Sequence, residues 1–115
     1  MKKLLTIFVA VLILAACEKP GTVDDDVPEC IKEKIDEIEK EAVRNPPASI
    51  WQFEYKGETV YYIPPYCCDF YGTVYNSSCQ IICHPDGGIT GQGDGRCKDF
   101  ESEAKNKKLI WKDSR

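Results

Sequence analysis

Seven cysteines are the residues of this chain whose chemistry depends most on their spacing. Cys17 lies near the N-terminus, and the remaining six are Cys30, Cys67, Cys68, Cys79, Cys83 and Cys97. An even number of cysteines in a short exported chain predicts a disulfide framework, and we expect all six to take part in it. Six cysteines can pair in many ways, so their spacing leaves the connectivity open.

Two of these cysteines, Cys67 and Cys68, are adjacent. Neighbouring side chains on extended backbone point in opposite directions, so we expect each to bond to a different segment. A bond between the two would close a small strained ring that is easily reduced, and this is the alternative. A zinc site is disfavoured because the pair lacks the spacer that lets two thiolates hold one ion, and His84 is the only histidine.

A glycine-rich acidic loop is the one candidate ligand site. Its aspartates, Asp86, Asp94 and Asp99, offer the hard oxygen ligands that calcium prefers. The spacing fits neither an EF-hand nor a glycine-rich calcium repeat. The alternative is a tight loop that needs its glycines and is held by Cys83 and Cys97, with no bound cofactor.

The composition argues against two classes of function. A single histidine and no Ser/His/Asp set leave no nucleophile and base to assign, so we expect no enzyme. The formal net charge is −4, and an acidic chain without a basic stripe argues against nucleic-acid binding.

The N-terminus has the pattern of a secretory signal peptide, with Lys2 and Lys3 before an apolar run that ends at Leu14. That run is shorter than the roughly 20 residues that a spanning helix needs. Residues 14–17, Leu-Ala-Ala-Cys, resemble the lipobox of bacterial lipoproteins. The resemblance implies cleavage before Cys17 and attachment of acyl chains to it; ordinary cleavage after Ala16 is the alternative.

This interpretation divides the chain into residues 1–16 as signal peptide, 17–27 as a polar tether and 28–115 as one disulfide-stabilised domain. We expect anchoring in the cell envelope through the acyl chains, at the outer membrane, since Glu18 gives no reason for retention at an inner membrane. The expected partner is an envelope or extracellular protein or a glycan.

The periodicity predicts an α+β fold with one amphipathic N-terminal helix. Residues 26–44 carry an isoleucine stripe at helical spacing, begin with a capping-box pattern at Asp26 and Glu29, and end before Asn45-Pro46-Pro47. The helix is expected to pack on a small antiparallel sheet made of a hairpin and a C-terminal strand over residues 107–112. The residues between 64 and 100 are expected to form a disulfide-rich loop region.

The hairpin prediction is detailed enough to give a register. A turn at Lys56-Gly57 sets Tyr55 opposite Glu58, and it therefore also sets Phe53 opposite Val60 and Trp51 opposite Tyr62. We expect the helix stripe to cover the face formed by Trp51, Phe53, Val60 and Tyr62. The opposite face carries Ile50, Thr59, Tyr61 and Ile63.

Four motifs give the chain a family resemblance: "NPP" (45–47), "TVYYIPPYCCD" (59–69), "ICHPDGGITGQGDGRCKDF" (82–100) and "LIWKDSR" (109–115). From Cys30 to Arg115 it resembles a family of small bacterial lipoproteins classified only as a domain of unknown function. The resemblance implies one domain and a lipoprotein, and it implies no activity.

A shorter run from Tyr62 to Cys83 resembles the middle of a Kazal-type protease inhibitor, in which a Tyr-x-Pro-x-Cys segment precedes a further tyrosine and cysteine. That resemblance implies protease inhibition as the alternative function. It also implies the bonds Cys30–Cys83, Cys67–Cys79 and Cys68–Cys97.

Overall fold

A computed structural model describes residues 23–115, so the expected signal peptide and Cys17 lie outside the described residues. The elements, in chain order, are α1 (Glu29–Glu39), β1 (Ser49–Tyr55), β2 (Glu58–Ile63), β3 (Thr73–Tyr75), β4 (Ile81–Cys83), α2 (Phe100–Glu103) and β5 (Lys105–Lys112). The five strands form one antiparallel sheet in the order β4-β3-β2-β1-β5. The predicted α+β class is confirmed. Over residues 23–115, no helix is long and apolar enough to cross a membrane.

The β1–β2 hairpin has the predicted register. Trp51 faces Tyr62, Phe53 faces Val60 and Tyr55 faces Glu58. Both turn residues have positive φ, 49° at Lys56 and 77° at Gly57. Positive φ at both positions matches the twist of a two-residue hairpin loop, so the pair Lys56-Gly57 determines the register of the hairpin.

The helix covers the face of the sheet opposite to the predicted one. Ile31, Ile35 and Ile38 pack with Ile50, Tyr61 and Trp111, and we call this side the helix face. The prediction that α1 covers the face of Trp51, Phe53, Val60 and Tyr62 is therefore wrong. Strand alternation shows which residues share a face, but it does not show which face the helix takes.

The other side of the sheet, which we call the loop face, is covered by the chain between β4 and β5. Its buried residues are Tyr55, Val60, Val74, Cys83, Cys97 and Phe100. The Phe100 ring, carried by the one-turn helix α2, lies 5.2 Å from the Phe53 ring and 5.9 Å from the Tyr62 ring. Phe53 on β1 and Tyr62 on β2 are therefore partly buried against this core.

Both ends of α1 differ from the prediction. Pro28 is the N-cap and no side chain caps the first turn, so the capping box does not form. The helix ends at Glu39, before the predicted residue 44. Arg115 donates hydrogen bonds to the carbonyl oxygens of Ile38, Glu39 and Glu41. In a longer helix these oxygens would have accepted hydrogen bonds from backbone N–H groups of the next turn.

The folded part begins before residue 28. Val27 is buried in the helix-face core, although the sequence places it in the tether. Asp24 also forms an ion pair with Lys108 at 3.1 Å. The described segment ahead of α1 thus packs on the domain.

Candidate functional site

Four of the six framework cysteines form two disulfides. Cys30–Cys79 joins α1 to the turn between β3 and β4, and Cys83–Cys97 joins the end of β4 to the segment before α2. The predicted disulfide framework is confirmed for these four cysteines. Each bond fastens one face of the sheet, Cys30–Cys79 the helix face and Cys83–Cys97 the loop face.

The pairing implied by the Kazal resemblance is wrong, because none of its three bonds is present. The prediction that Cys67 and Cys68 hold two separate segments is also wrong: both are exposed and unbonded, and their Sγ atoms lie 2.7 Å apart. Cys68 has a φ of 56°, and Phe70 N donates a hydrogen bond to Cys67 O. The two residues therefore lie in a turn, where the alternation of extended backbone does not apply.

The three aspartates of the acidic loop lie in three different environments. Asp86 accepts a hydrogen bond from the Tyr62 hydroxyl at 2.5 Å, and Asp99 accepts one from the Tyr55 hydroxyl at 2.5 Å. Asp94 Oδ1 accepts from the backbone N of Arg96 at 3.0 Å. Within the described part of the chain, no three His, Cys, Asp or Glu residues are grouped closely enough to hold a metal. The structure does not bring the candidate calcium ligands together.

Asp86 is packed against backbone on one side and hydrogen-bonded on the other. Its Oδ1 is buried without a hydrogen-bond partner among the described residues, and it lies 1.9 Å from where a Cβ on Gly72 would be. Burial and the bond to Asp86 raise the pKa of Tyr62. This carboxylate therefore fastens β2 to the acidic loop and leaves Gly72 no room for a side chain.

The glycines of the loop serve close backbone contact. A Cβ on Gly87 would meet Phe70 O at 2.3 Å, and one on Gly93 would meet His84 O at 2.0 Å. The backbone N of Gly88 donates to Phe70 O at 3.2 Å, and that of Gly72 donates to Asp86 O at 3.1 Å. The alternative interpretation, a tight loop that depends on glycine, describes this region.

These contacts hold residues 70–72 against residues 86–88, and a group of large apolar side chains on the two loops remains exposed. The exposed fractions are 42% for Tyr66, 58% for Phe70, 45% for Tyr71 and 89% for Ile89. We call these four residues the aromatic loop surface. The Tyr66 and Phe70 rings are 5.8 Å apart, and the Tyr71 ring stacks on His84 at 4.7 Å.

The sequence analysis did not identify this surface. Its signal is the run Tyr66 to Tyr71, which holds three aromatic residues in a segment that alternates like neither a strand nor a helix. Large apolar residues outside regular periodicity have no core face to join, so they are candidates for exposure. The sequence-based interpretation of this run rested on its two cysteines.

Two charges accompany the aromatic loop surface. The Arg44 guanidinium lies over the Tyr66 ring, 4.5 Å from its centre, and Asp69 is exposed between Cys68 and Phe70. Aromatic residues and arginine are the types enriched at the energetically important positions of protein interfaces. Because Arg44 is already paired with Glu41 at 2.9 Å, the arrangement suits contact with a surface that is apolar in its centre and carries positive charge opposite Asp69.

A cleft of about 470 Å³ on the loop face is the other candidate site. Phe53, Tyr62 and Phe100 contribute to its lining, and Lys98 and Lys107 add positive charge. The rings already pack against one another, and of the two carboxylates in the lining, Asp86 is engaged by Tyr62 and Glu101 is exposed.

Comparison with known proteins gives one match. The model of a family described as a domain of unknown function matches residues 36–113. No curated protein and no solved structure matches the chain.

Proposed function

The chain belongs to that family, DUF6970, and we propose that it is a lipid-anchored module of the bacterial cell envelope that binds another protein and catalyses no reaction itself. The match covers most of the folded part and agrees with the expected domain of unknown function. It assigns no activity, so the proposed role rests on the chain's own residues.

Two features support the envelope location. Residues 14–17 close a signal-like apolar run and end in Cys17, the residue that is acylated in a lipobox. The bonds Cys30–Cys79 and Cys83–Cys97 suit an oxidising compartment, because disulfides are rare where thiols are kept reduced. Acyl chains would anchor the domain, since each buried methylene contributes about 0.8 kcal/mol.

The aromatic loop surface is the observation that carries the binding role. Large exposed apolar side chains on neighbouring loops of a small domain mark an interaction site. Its four members lie on two loops whose backbones are hydrogen-bonded to each other, so a partner would meet a pre-organised surface.

The charges at this surface favour a protein partner. Arg44 is already paired with Glu41, but Asp69 is exposed beside the apolar rings, and a protein interface can place an opposite charge against it. Lipid hydrocarbon cannot, and burying an unpaired carboxylate there would be costly. A neutral glycan offers hydrogen bonds but no counter-charge.

Site-specific photo-crosslinking in the cell tests the binding role. A photoreactive phenylalanine analogue replaces Phe70 in the full chain, and the matched control places it at Ile81, which is 52% exposed on β4. We expect a discrete protein adduct from position 70 and none from position 81. Ile89→Ser should weaken the adduct at least about fivefold, whereas Leu109→Ser, which alters an exposed residue on β5, should leave it unchanged.

Several results would contradict the proposal. These are equal adducts at positions 70 and 81, adducts with lipid or glycan alone, or insensitivity to Ile89→Ser.

A separate experiment tests the anchor. In the full chain, Cys17→Ala should abolish acylation and leave the precursor uncut, while the wild type begins at Cys17 and carries acyl chains by mass spectrometry. A wild-type protein that is cut but not acylated would overturn the lipid anchor without affecting the binding surface.

A further inference from the structure

Cys67 and Cys68 are the two described cysteines that the disulfide framework does not use. Their Sγ atoms lie 2.7 Å apart. Unbonded carbon atoms pack at about 3.5–4.0 Å, and sulfur is larger than carbon, so this separation is short for two unbonded sulfurs. A disulfide bond is about 2.05 Å long, so a small side-chain movement would bring these two sulfurs to bonding distance.

We propose that Cys67 and Cys68 form a reversible vicinal disulfide, which makes this exposed turn a redox modification site that exchanges with protein disulfides and dithiols. The four other described cysteines are already bonded in pairs, so each of the two sulfurs has the other as its nearest possible partner. The two existing disulfides suit an oxidising environment whether or not the chain is lipid-anchored.

The oxidation proceeds by thiol–disulfide exchange with an external protein disulfide. One thiol of the pair loses its proton, and its thiolate attacks a sulfur of the external disulfide. That disulfide breaks and releases one thiolate, leaving a mixed disulfide. The neighbouring thiol then loses its proton and attacks the sulfur of the first cysteine, so that the Cys67–Cys68 bond forms and the second external thiolate leaves.

The exchange balances in electrons and protons. Two electrons pass from the cysteine pair to the external disulfide, and two protons end on the released dithiol. Reduction by an external dithiol follows the same steps in reverse.

The vicinal bond should be the most easily reduced disulfide in the protein. Adjacent Cα atoms are about 3.8 Å apart across a trans peptide, whereas disulfides usually join Cα atoms about 4.4–6.8 Å apart, so the ring is strained. Cys67 and Cys68 are also exposed, while Cys83 and Cys97 are buried. Strain and access both favour attack by a dithiol at this pair.

Peptide mapping of the full chain tests the proposal. The protein is acid-quenched from the cell envelope, alkylated without reductant, unfolded and digested with chymotrypsin. Cleavage after Tyr66 and Phe70 isolates the peptide 67–70, which contains only this cysteine pair. We expect it unalkylated and lighter than the dithiol form by two hydrogens.

Graded reduction supplies a second readout. Increasing concentrations of dithiothreitol precede the alkylation, and we expect the peptide 67–70 to become doubly alkylated at a concentration at least about tenfold below that which opens Cys83–Cys97. The control variant Cys68→Ser removes the partner, so Cys67 should react with the alkylating agent in the absence of reductant. The disulfides Cys30–Cys79 and Cys83–Cys97 should persist in that variant.

Two samples decide the outcome: protein taken directly from the cell envelope, and folded protein incubated with excess oxidised glutathione before alkylation. If the peptide 67–70 is doubly alkylated in both samples without reductant, the proposal is overturned. Two stable mixed disulfides with glutathione in place of a Cys67–Cys68 bond would overturn it equally. If the Cys67–Cys68 bond and the Cys83–Cys97 bond opened at the same dithiothreitol concentration, the proposed reversible exchange at Cys67–Cys68 would be contradicted.

Discussion

The helix face and the loop face of the same sheet are closed by different means. On the helix face, three isoleucines of α1 pack on strand residues, which is the usual way to cover a small sheet. On the loop face, α2 is a single turn, and the cover consists of Phe100, the Cys83–Cys97 bond and loops packed backbone to backbone.

The difference shows how a short chain can cover a second face without a second long helix. Small domains have limited cores and often need covalent cross-links. Here the bond Cys83–Cys97 places a buried disulfide where a helix would place side chains, and glycines let the backbone approach closely. The loop face should therefore tolerate added atoms poorly at defined positions.

Alanine at two loop glycines gives the largest expected effect and tests the backbone packing. Gly91 and Gly93 both have a φ of 74°, but a Cβ on Gly91 meets nothing within 4 Å, whereas one on Gly93 meets His84 O at 2.0 Å. Gly91→Ala should lower the free energy of unfolding by about 1 kcal/mol through backbone strain alone. Gly93→Ala should lower it by at least about 3 kcal/mol, measured by urea denaturation.

Equal losses of stability for the two variants would contradict the role of close backbone packing on the loop face.

Arg115 is a polar anchor of the helix face, and its substitution tests that role. Arg115 bonds the buried Asp113 carboxylate and three carbonyl oxygens at the end of α1. Arg115→Ala removes the donor to Asp113 Oδ2 and to the carbonyl oxygens of Glu39 and Glu41, while Ile38 O and Asp113 Oδ1 keep backbone donors, so it should lower Tm by about 5 °C or more. Arg115→Lys should be intermediate, because an ammonium group lacks the planar fork that serves several acceptors.

The matched control is Lys112→Ala, at an exposed position near the end of β5. It should leave Tm nearly unchanged, and a loss equal to that of Arg115→Ala would show that the anchor is not specific.

The dependence of Tm on pH is the smallest expected effect. Hydrogen bonds from Arg115 lower the pKa of Asp113, so its stabilising contribution is present above the unfolded value of 3.8 and is lost as the pH falls below it. Burial raises the pKa of Tyr62 on the loop face above 10.0, so its contribution is present below pH 10 and is lost above it.

Tm should therefore be level between these limits and fall on both sides. In a pH series, Asp113→Asn should flatten the acid side and Tyr62→Phe the alkaline side. A Tm that rises on acidification below pH 4 would contradict the assignment for Asp113.

The sequence alone predicted the elements whose interactions are local. The pair Lys56-Gly57 determined the hairpin register, and the positive φ values of both residues explain why. The last strand was also predicted. The strands β3 and β4 were missed because three residues are too few to show alternation.

Long-range contacts explain the errors. The end of α1 depends on Arg115, 76 residues after Glu39 in the chain, which no pattern within the helix reveals. The side of the sheet that α1 covers depends on Phe100 filling the other side. Within the candidate site, the cysteines and aspartates could be identified by type, but their partners depended on a turn at Cys68 and on the close approach of two loops.

Hydrogen exchange followed by mass spectrometry tests most directly whether each face has its own cross-link. In Cys83→Ala/Cys97→Ala, residues 84–103 should lose protection while α1, Glu29–Glu39, keeps it. In the matched variant Cys30→Ala/Cys79→Ala, α1 should lose protection first. If both variants lost protection equally in both regions, the two faces would depend on one shared core, and the contrast between them would be wrong.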